Sequence, residues 1–222
     1  MFVGHYGVSF ALKRVSPRTS LGTLFLSVQV LDVLFSIFVL LGIEKLRIVP
    51  GFTQYNPYDL YYMPFSHSLA GAMAWSVVAG GLAWVAGARA GAPWIGAAVF
   101  SHFLLDVPMH TPDMPLLGND SPKIGLGLWR HRNLSLAAEL VALCVGYWFW
   151  RAAAPPTPRR RRMDVFFAFL VALTVATPFF PPPADGAAFA YQALAGYLVL
   201  AAVAGWLSKS LMPGIRRPIT GR

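Results

Sequence analysis

Predominantly apolar runs the length of a helical span recur along much of this chain. Runs near residues 21–43, 68–88, 134–150, 163–180 and 187–208 each approach the roughly 17–25 residues that a membrane-crossing helix needs. A sixth run, near 91–108, is shorter and holds His102 and Asp106. Pro93 suits its first helical turn, and Pro108 bends or stops it near its end. The first fourteen residues are apolar up to Lys13 and Arg14, too short to cross. The Ser16-Pro17-Arg18-Thr19-Ser20 turn signal folds them back against the helix that starts near Leu21. The pattern predicts an all-α fold: a polytopic transmembrane helical bundle of about six spans, plus a short N-terminal re-entrant helix.

Composition agrees with this reading. Hydrophobic residues make up 56% of the chain and charged residues 12%, against about a quarter charged in a soluble domain. A net charge of +9 in a soluble protein would point to a nucleic-acid partner, but here position explains it. With the N-terminus cytoplasmic and six crossings, the inside loops and tails carry Lys13, Arg14, Arg18, Arg89, Arg151, Arg159, Arg160, Arg161, Arg162, Lys209, Arg216, Arg217 and Arg222. The outside loops keep only Lys45, Arg47, Lys123, Arg130 and Arg132. This is the positive-inside asymmetry, with both termini cytoplasmic. It divides the chain into a membrane-embedded domain (1–150), a cytoplasmic Arg/Pro-rich linker (151–162) and a two-helix membrane scaffold with a basic tail (163–222). The linker arginines are expected to touch anionic lipid; no nucleic-acid partner is expected. The first apolar stretch contains His5 and precedes its basic residues, so it does not read as a secretory leader. Cys144 is the lone cysteine and makes no intramolecular disulfide. No internal repeat is visible, which argues against an inverted-repeat transporter.

The polar residues inside these runs carry the candidate chemistry. His102, Asp106 and His110 fall at i, i+4 and i+8, which stacks them on one helix face. An imidazole–carboxylate–imidazole column is expensive to keep in a membrane, and a bound metal ion offsets that cost most directly. Asp32 lies mid-span in 21–43 and needs a partner: a metal, a proton path, or Ser27, Ser36 or Gln29 on its own helix. At ~1.5 Å per residue, His5 on the folded-back segment, Asp32 and His102 reach similar depth. His67, in Pro64-Phe65-Ser66-His67-Ser68, enters from the opposite side, with Pro64 opening its helix and Ser66 capping it. Mixed imidazole and carboxylate donors suit zinc, with manganese or iron as alternatives. The expected ligands are His5, Asp32, His67, His102 and Asp106, with His110 as a further donor. Glu139 and Asp113 are the candidate general bases; Ser135, at i−4, is the plain partner for Glu139. His131 is expected to be solvated in an outer loop. The Tyr-rich 44–66 loop reads as an interfacial aromatic belt. The long Pro/Gly-containing loop 111–133 reads as a binding loop.

In order along the chain, His5, Asp32, Ser66-His67-Ser68 and His102-Phe-Leu-Leu105-Asp106 resemble a family pattern: an N-terminal His, an Asp in the next helix, Thr-His-Ser, then His-x-x-Leu-Asp. The family comprises small bacterial inner-membrane proteins described as metal-dependent hydrolases and includes a DNA-damage-regulated enterobacterial member. His110-Thr-Pro-Asp113-Met-Pro and Gly125-Leu-Gly-Leu-Trp129 are similar to a subgroup called simply membrane protein or permease. The resemblance covers about residues 1–140. It implies an all-helical bundle in the bacterial inner membrane with a metal site and phosphoester hydrolysis, and a fold-level analogy to zinc-dependent phospholipases, which draw His and Asp ligands from helices. The chain departs from the pattern where Tyr62-Met63-Pro64-Phe65 replaces a His-Arg pair, and where a Gly after Leu-Asp is missing. That leaves one ligand fewer for a second ion, a place His110 could take. The expected function is a metal-dependent hydrolase whose ion activates water against a phosphoester or another small-molecule or lipid-derived substrate. The alternative is a proton-coupled transporter or channel that uses Asp32, Glu139 and His102 as a relay without metal. A third reading is a non-catalytic adaptor docking through its arginines.

Overall fold

The computed structural model describes residues 2–209; Arg216, Arg217 and Arg222 of the expected basic tail lie outside them. The chain is mostly helical. A 3-10 turn (Val3–His5) leads into α1 (Tyr6–Val15), followed by α2 (Leu21–Val28), α3 (Val30–Leu40), α4 (Leu69–Val85), α5 (Ala92–Met109), α6 (Arg132–Ala153), α7 (Pro158–Ala176) and α8 (Gly186–Lys209). Among the described residues, three segments are long and apolar enough to cross a membrane: α6, α7 with its following 3-10 turn, and α8. The bent pair α2 and α3 makes a fourth if the two together are one broken span, and α4 is a shorter apolar helix.

Several details differ from the sequence expectation, each for a physical reason. The 21–43 run is not one straight span: α2 and α3 meet at Gln29 with a bend of 54°. A break frees backbone groups that need new partners in an apolar medium. Here Gln29 Nε2 donates to Phe2 O at 3.1 Å, and Val28 O accepts from His102 Nδ1 at 2.7 Å. The loops are not purely irregular. Strands β1 (Lys45–Ile48) and β2 (Tyr58–Tyr62) form an antiparallel hairpin, and β3 (Met114–Pro115) pairs with β4 (Lys123–Ile124). Helix α5 runs through Pro108 to Met109 and stops at His110, whose backbone is extended. The irregular linker shrinks to 154–157: Thr157 caps α7, accepting from Arg160 N, and Arg159 to Arg162 lie in its first turns. Cations there oppose the helix dipole. Arg160 offsets this by donating to Ala154 O at 3.1 Å.

Helix α1 packs on α6 and α2, and it does so backbone to backbone. A Cβ on Gly146 would sit 1.9 Å from Gly7 O, and one on Gly7 would sit 2.0 Å from Ala142 O. Small residues permit such approaches in membrane bundles. Around this crossing Tyr6 stacks on Phe25 at 4.1 Å and Phe10 meets Tyr147 edge-on at 5.1 Å. A second apolar cluster joins Leu31, Phe35, Met63, Phe103, Met109 and Trp129. Outward-facing positions remain apolar: Val85 on α4 is 85% exposed and Trp148 on α6 is 69% exposed.

Candidate metal centre

Four segments converge on a buried group of imidazoles and carboxylates. His5 closes the 3-10 turn before α1 and is fully buried. The turn is held by Glu139 from α6, whose carboxylate accepts from Phe2 N (3.1 Å), Gly4 N (3.0 Å) and Tyr55 Oη (3.0 Å). Glu139 therefore finds its partners across the fold rather than at Ser135, whose hydroxyl donates to Leu128 O. Glu139→Ala orphans two backbone donors, each worth about 1–3 kcal/mol. The variant is expected to melt at a clearly lower temperature in detergent; an unchanged transition would contradict this anchoring role.

His102 and Asp106 lie one turn apart on α5, and both are buried. Asp32 comes from the first turn of α3. His67 precedes α4, whose N-cap is Ser68 rather than Ser66: the Ser68 side chain accepts from Gly71 N. Ser66 is free to serve His67 instead, its Oγ lying 2.7 Å from His67 Nδ1. His110 leaves the α5 register but stays within reach.

The ring nitrogens turn inward to the two acids. His102 Nε2 is 3.0 Å from Asp106 Oδ2 and 3.5 Å from Asp32 Oδ1. His67 Nε2 is 3.3 Å from Asp32 Oδ1 and 3.8 Å from Asp106 Oδ2. His5 Nε2 is 3.4 Å from Asp106 Oδ1, and His110 Nε2 is 3.5 Å from Asp106 Oδ2. The His5 and His102 rings stack at 4.0 Å.

The outer nitrogens are engaged elsewhere, as metal-ligating histidines require. A carbonyl only accepts, so His102 Nδ1 donates to Val28 O at 2.7 Å. His110 Nδ1 donates to Asp113 Oδ1 at 2.9 Å, while Asp113 Oδ2 accepts from Thr111 at 2.7 Å. His5 differs, having carbonyls beside both nitrogens: Phe2 O at 3.3 Å and His102 O at 3.4 Å. In the neutral ring of His102 the lone pair on Nε2 then faces carboxylate oxygens, acceptor against acceptor. Accordingly His102 Nε2 is buried with no hydrogen bond. A buried ring nitrogen 3.0 and 3.5 Å from two carboxylates is satisfied by a cation there, either a proton on the ring or a metal ion. Two donor triads have ligand atoms within 4.8 Å of one another, His5/His102/Asp106 and Asp32/His67/His102. The cluster could hold a metal ion, and the donor set fits one.

Burial disfavours the charged His110 ring, but the Asp113 and Asp106 carboxylates outweigh it and hold its pKa above the ordinary histidine value. A metal ion held at this ring would compete with a proton.

Two supporting residues had no place in the sequence reading. Tyr197, on the α8 expected to be scaffold, donates to Asp32 Oδ2 at 2.9 Å. Asp32 thus pairs across the bundle rather than with Ser27, Ser36 or Gln29. Glu44 and Ser66 form a hydrogen-bonded pair behind His67. No pattern flagged Glu44, although a lone acid at the end of an apolar run was a usable signal. His131 is exposed at the start of α6 and lines a surface groove of about 560 Å³ with Gln54, Arg132, Asn133 and Leu134. None of the clustered donors lines that groove. No protein-family model matches this chain, and neither curated proteins nor solved structures include a match.

Proposed function

We propose that this chain is a metal-dependent hydrolase of the bacterial inner membrane, with His5, Asp32, His67, His102 and Asp106 as metal ligands and His110 completing the set. The observation that carries this reading is His102 Nε2: buried, without a hydrogen bond, and facing two carboxylates. Zinc fits such donors, as do manganese and iron. Bound there, a divalent ion would polarise a phosphoryl or acyl oxygen and lower the pKa of water. Asp113 is the general base in this reading, because it touches the cluster through His110. Glu139 is not, because both its oxygens hold the N-terminal turn and one also takes Tyr55. The same engagement weighs against a proton relay through Asp32, Glu139 and His102. The family resemblance of residues 1–140 supports hydrolysis.

Six crossings follow if α4 and α5 join the bent α2–α3 pair, α6, α7 and α8, with α1 folded back. Basic residues then crowd the cytoplasmic side, where both termini lie. Asp32 is the least buried donor, with 16% of its side chain exposed, and Tyr197 holds it between α3 and α8. A reactant reaching that side from within the bilayer would be lipid-derived.

The test is elemental analysis of detergent-purified protein before and after chelation and reconstitution. It is paired with hydrolysis of a chromogenic phosphodiester and of phospholipid in mixed micelles. Stoichiometric metal and chelator-sensitive cleavage are expected. Absence of metal after reconstitution would overturn the reading; metal without cleavage of either substrate would keep the centre and remove the hydrolase.

A further inference from the structure

His67 differs from His102 in what stands behind it. His102 is oriented by a backbone carbonyl, which can only accept. His67 is oriented by the Ser66 hydroxyl, which can either donate or accept. Left alone, that hydroxyl would not define which nitrogen of His67 carries the hydrogen.

Glu44 removes the ambiguity. It lies in the turn after α3, is 1% exposed, and uses both oxygens. Oε1 accepts from Phe65 N at 2.8 Å and Ser66 N at 2.9 Å; Oε2 accepts the Ser66 hydroxyl at 2.6 Å. The single hydroxyl hydrogen is thereby committed to Glu44. Toward His67 Nδ1, 2.7 Å away, Ser66 can only accept. Nδ1 must carry the hydrogen, and Nε2 presents its lone pair toward Asp32 and Asp106.

We propose that Glu44 is a positioning residue: acting through Ser66, it fixes His67 in the tautomer that offers Nε2 to a divalent cation. This inference rests on the metal reading for its purpose but not for its geometry. It explains why a buried acid stands next to an otherwise apolar segment. It also makes a chemical forecast. Glu44→Gln keeps the shape, and its carbonyl still accepts from Phe65 and Ser66. Its amide then donates to Ser66 Oγ, the hydroxyl hydrogen turns to His67 Nδ1, and the ring hydrogen moves to Nε2. There it points at two carboxylates and blocks ligation.

The experiment uses full-length 15N-labelled protein in detergent, stripped with chelator, and long-range 1H–15N correlation to assign the His67 tautomer. The wild type is expected to show hydrogen on Nδ1, and Glu44→Gln hydrogen on Nε2. Zinc titration of the same samples is expected to show affinity about 10–100-fold weaker in Glu44→Gln, the usual reach of a group behind a metal ligand. Ser66→Ala, which cuts the link but leaves Glu44 its backbone donors, is expected to fall in the same range. Combined with His67→Ala, Glu44→Gln is expected to add nothing further. An unchanged tautomer in Glu44→Gln, or an equal loss of affinity in the His67→Ala background, overturns the assignment and makes Glu44 a brace of the 63–68 turn only. If the wild type binds no zinc while the tautomer still switches, the metal reading falls and the assignment of Glu44 stands.

Discussion

Asp106→Asn is expected to empty the centre of metal while leaving the fold in place. Asp106 is the hub of the cluster. Its Oδ1 lies 3.4 Å from His5, and its Oδ2 lies 3.0, 3.5 and 3.8 Å from His102, His110 and His67. Asparagine matches it in size but replaces one acceptor oxygen by an amide NH2 that cannot ligate, and it removes a negative charge that balances a divalent ion in a buried site. The loss of affinity should exceed the ~10–100-fold typical of groups behind a ligand. Elemental analysis should fall from stoichiometric to background. A second readout follows by mass action: metal at 100 times its Kd adds about 2.7 kcal/mol of stability. The wild type should therefore melt higher with added metal, whereas Asp106→Asn should not respond. Stoichiometric metal in this variant would show that the ion sits elsewhere.

Gly146→Leu is expected to cost about 3 kcal/mol or more, at the upper end of what overpacking does. A side chain there meets Gly7 O, C and Cα at 1.9, 2.4 and 2.7 Å. These are backbone atoms with no rotamer to escape into. Relief requires α1 to move off α6, and α1 begins directly after His5. Lower melting temperature in detergent and weaker metal binding should therefore appear together. Val145→Leu, one position along on a face that is 60% exposed, is the control and should change neither. Wild-type melting by Gly146→Leu would mean that the α1–α6 contact is looser than described.

The two variants probe different depths of legibility. The chemical identity of the cluster was readable, because each of His5, Asp32, His67, His102, Asp106 and His110 is an anomaly in an apolar or interfacial setting. Their supports were not. Asp32 meets Tyr197 across 165 residues of chain, and Glu139 meets Phe2 across 137; no local pattern encodes such pairings. The break at Gln29 was hidden for a related reason. The run is apolar enough overall to read as one helix, and only the fold brings His102 to the Val28 carbonyl freed at the break.

The apolar runs, the sparing use of charge and the inventory of imidazoles and carboxylates are properties of the residues themselves. Transfer from water to an apolar medium acts on each side chain separately, so the sequence alone determines that long helices of this chain suit a membrane and that its few buried ionisable groups demand partners. Which groups become partners depends on separations of a few ångströms between distant segments. Those separations arise from glycine-mediated backbone contact, from the bend between α2 and α3, and from the turn that seats Glu44 behind His67. Only the packed tertiary structure decides them, because hydrogen bonds and metal ligation fall off within an ångström while hydropathy does not depend on neighbours at all.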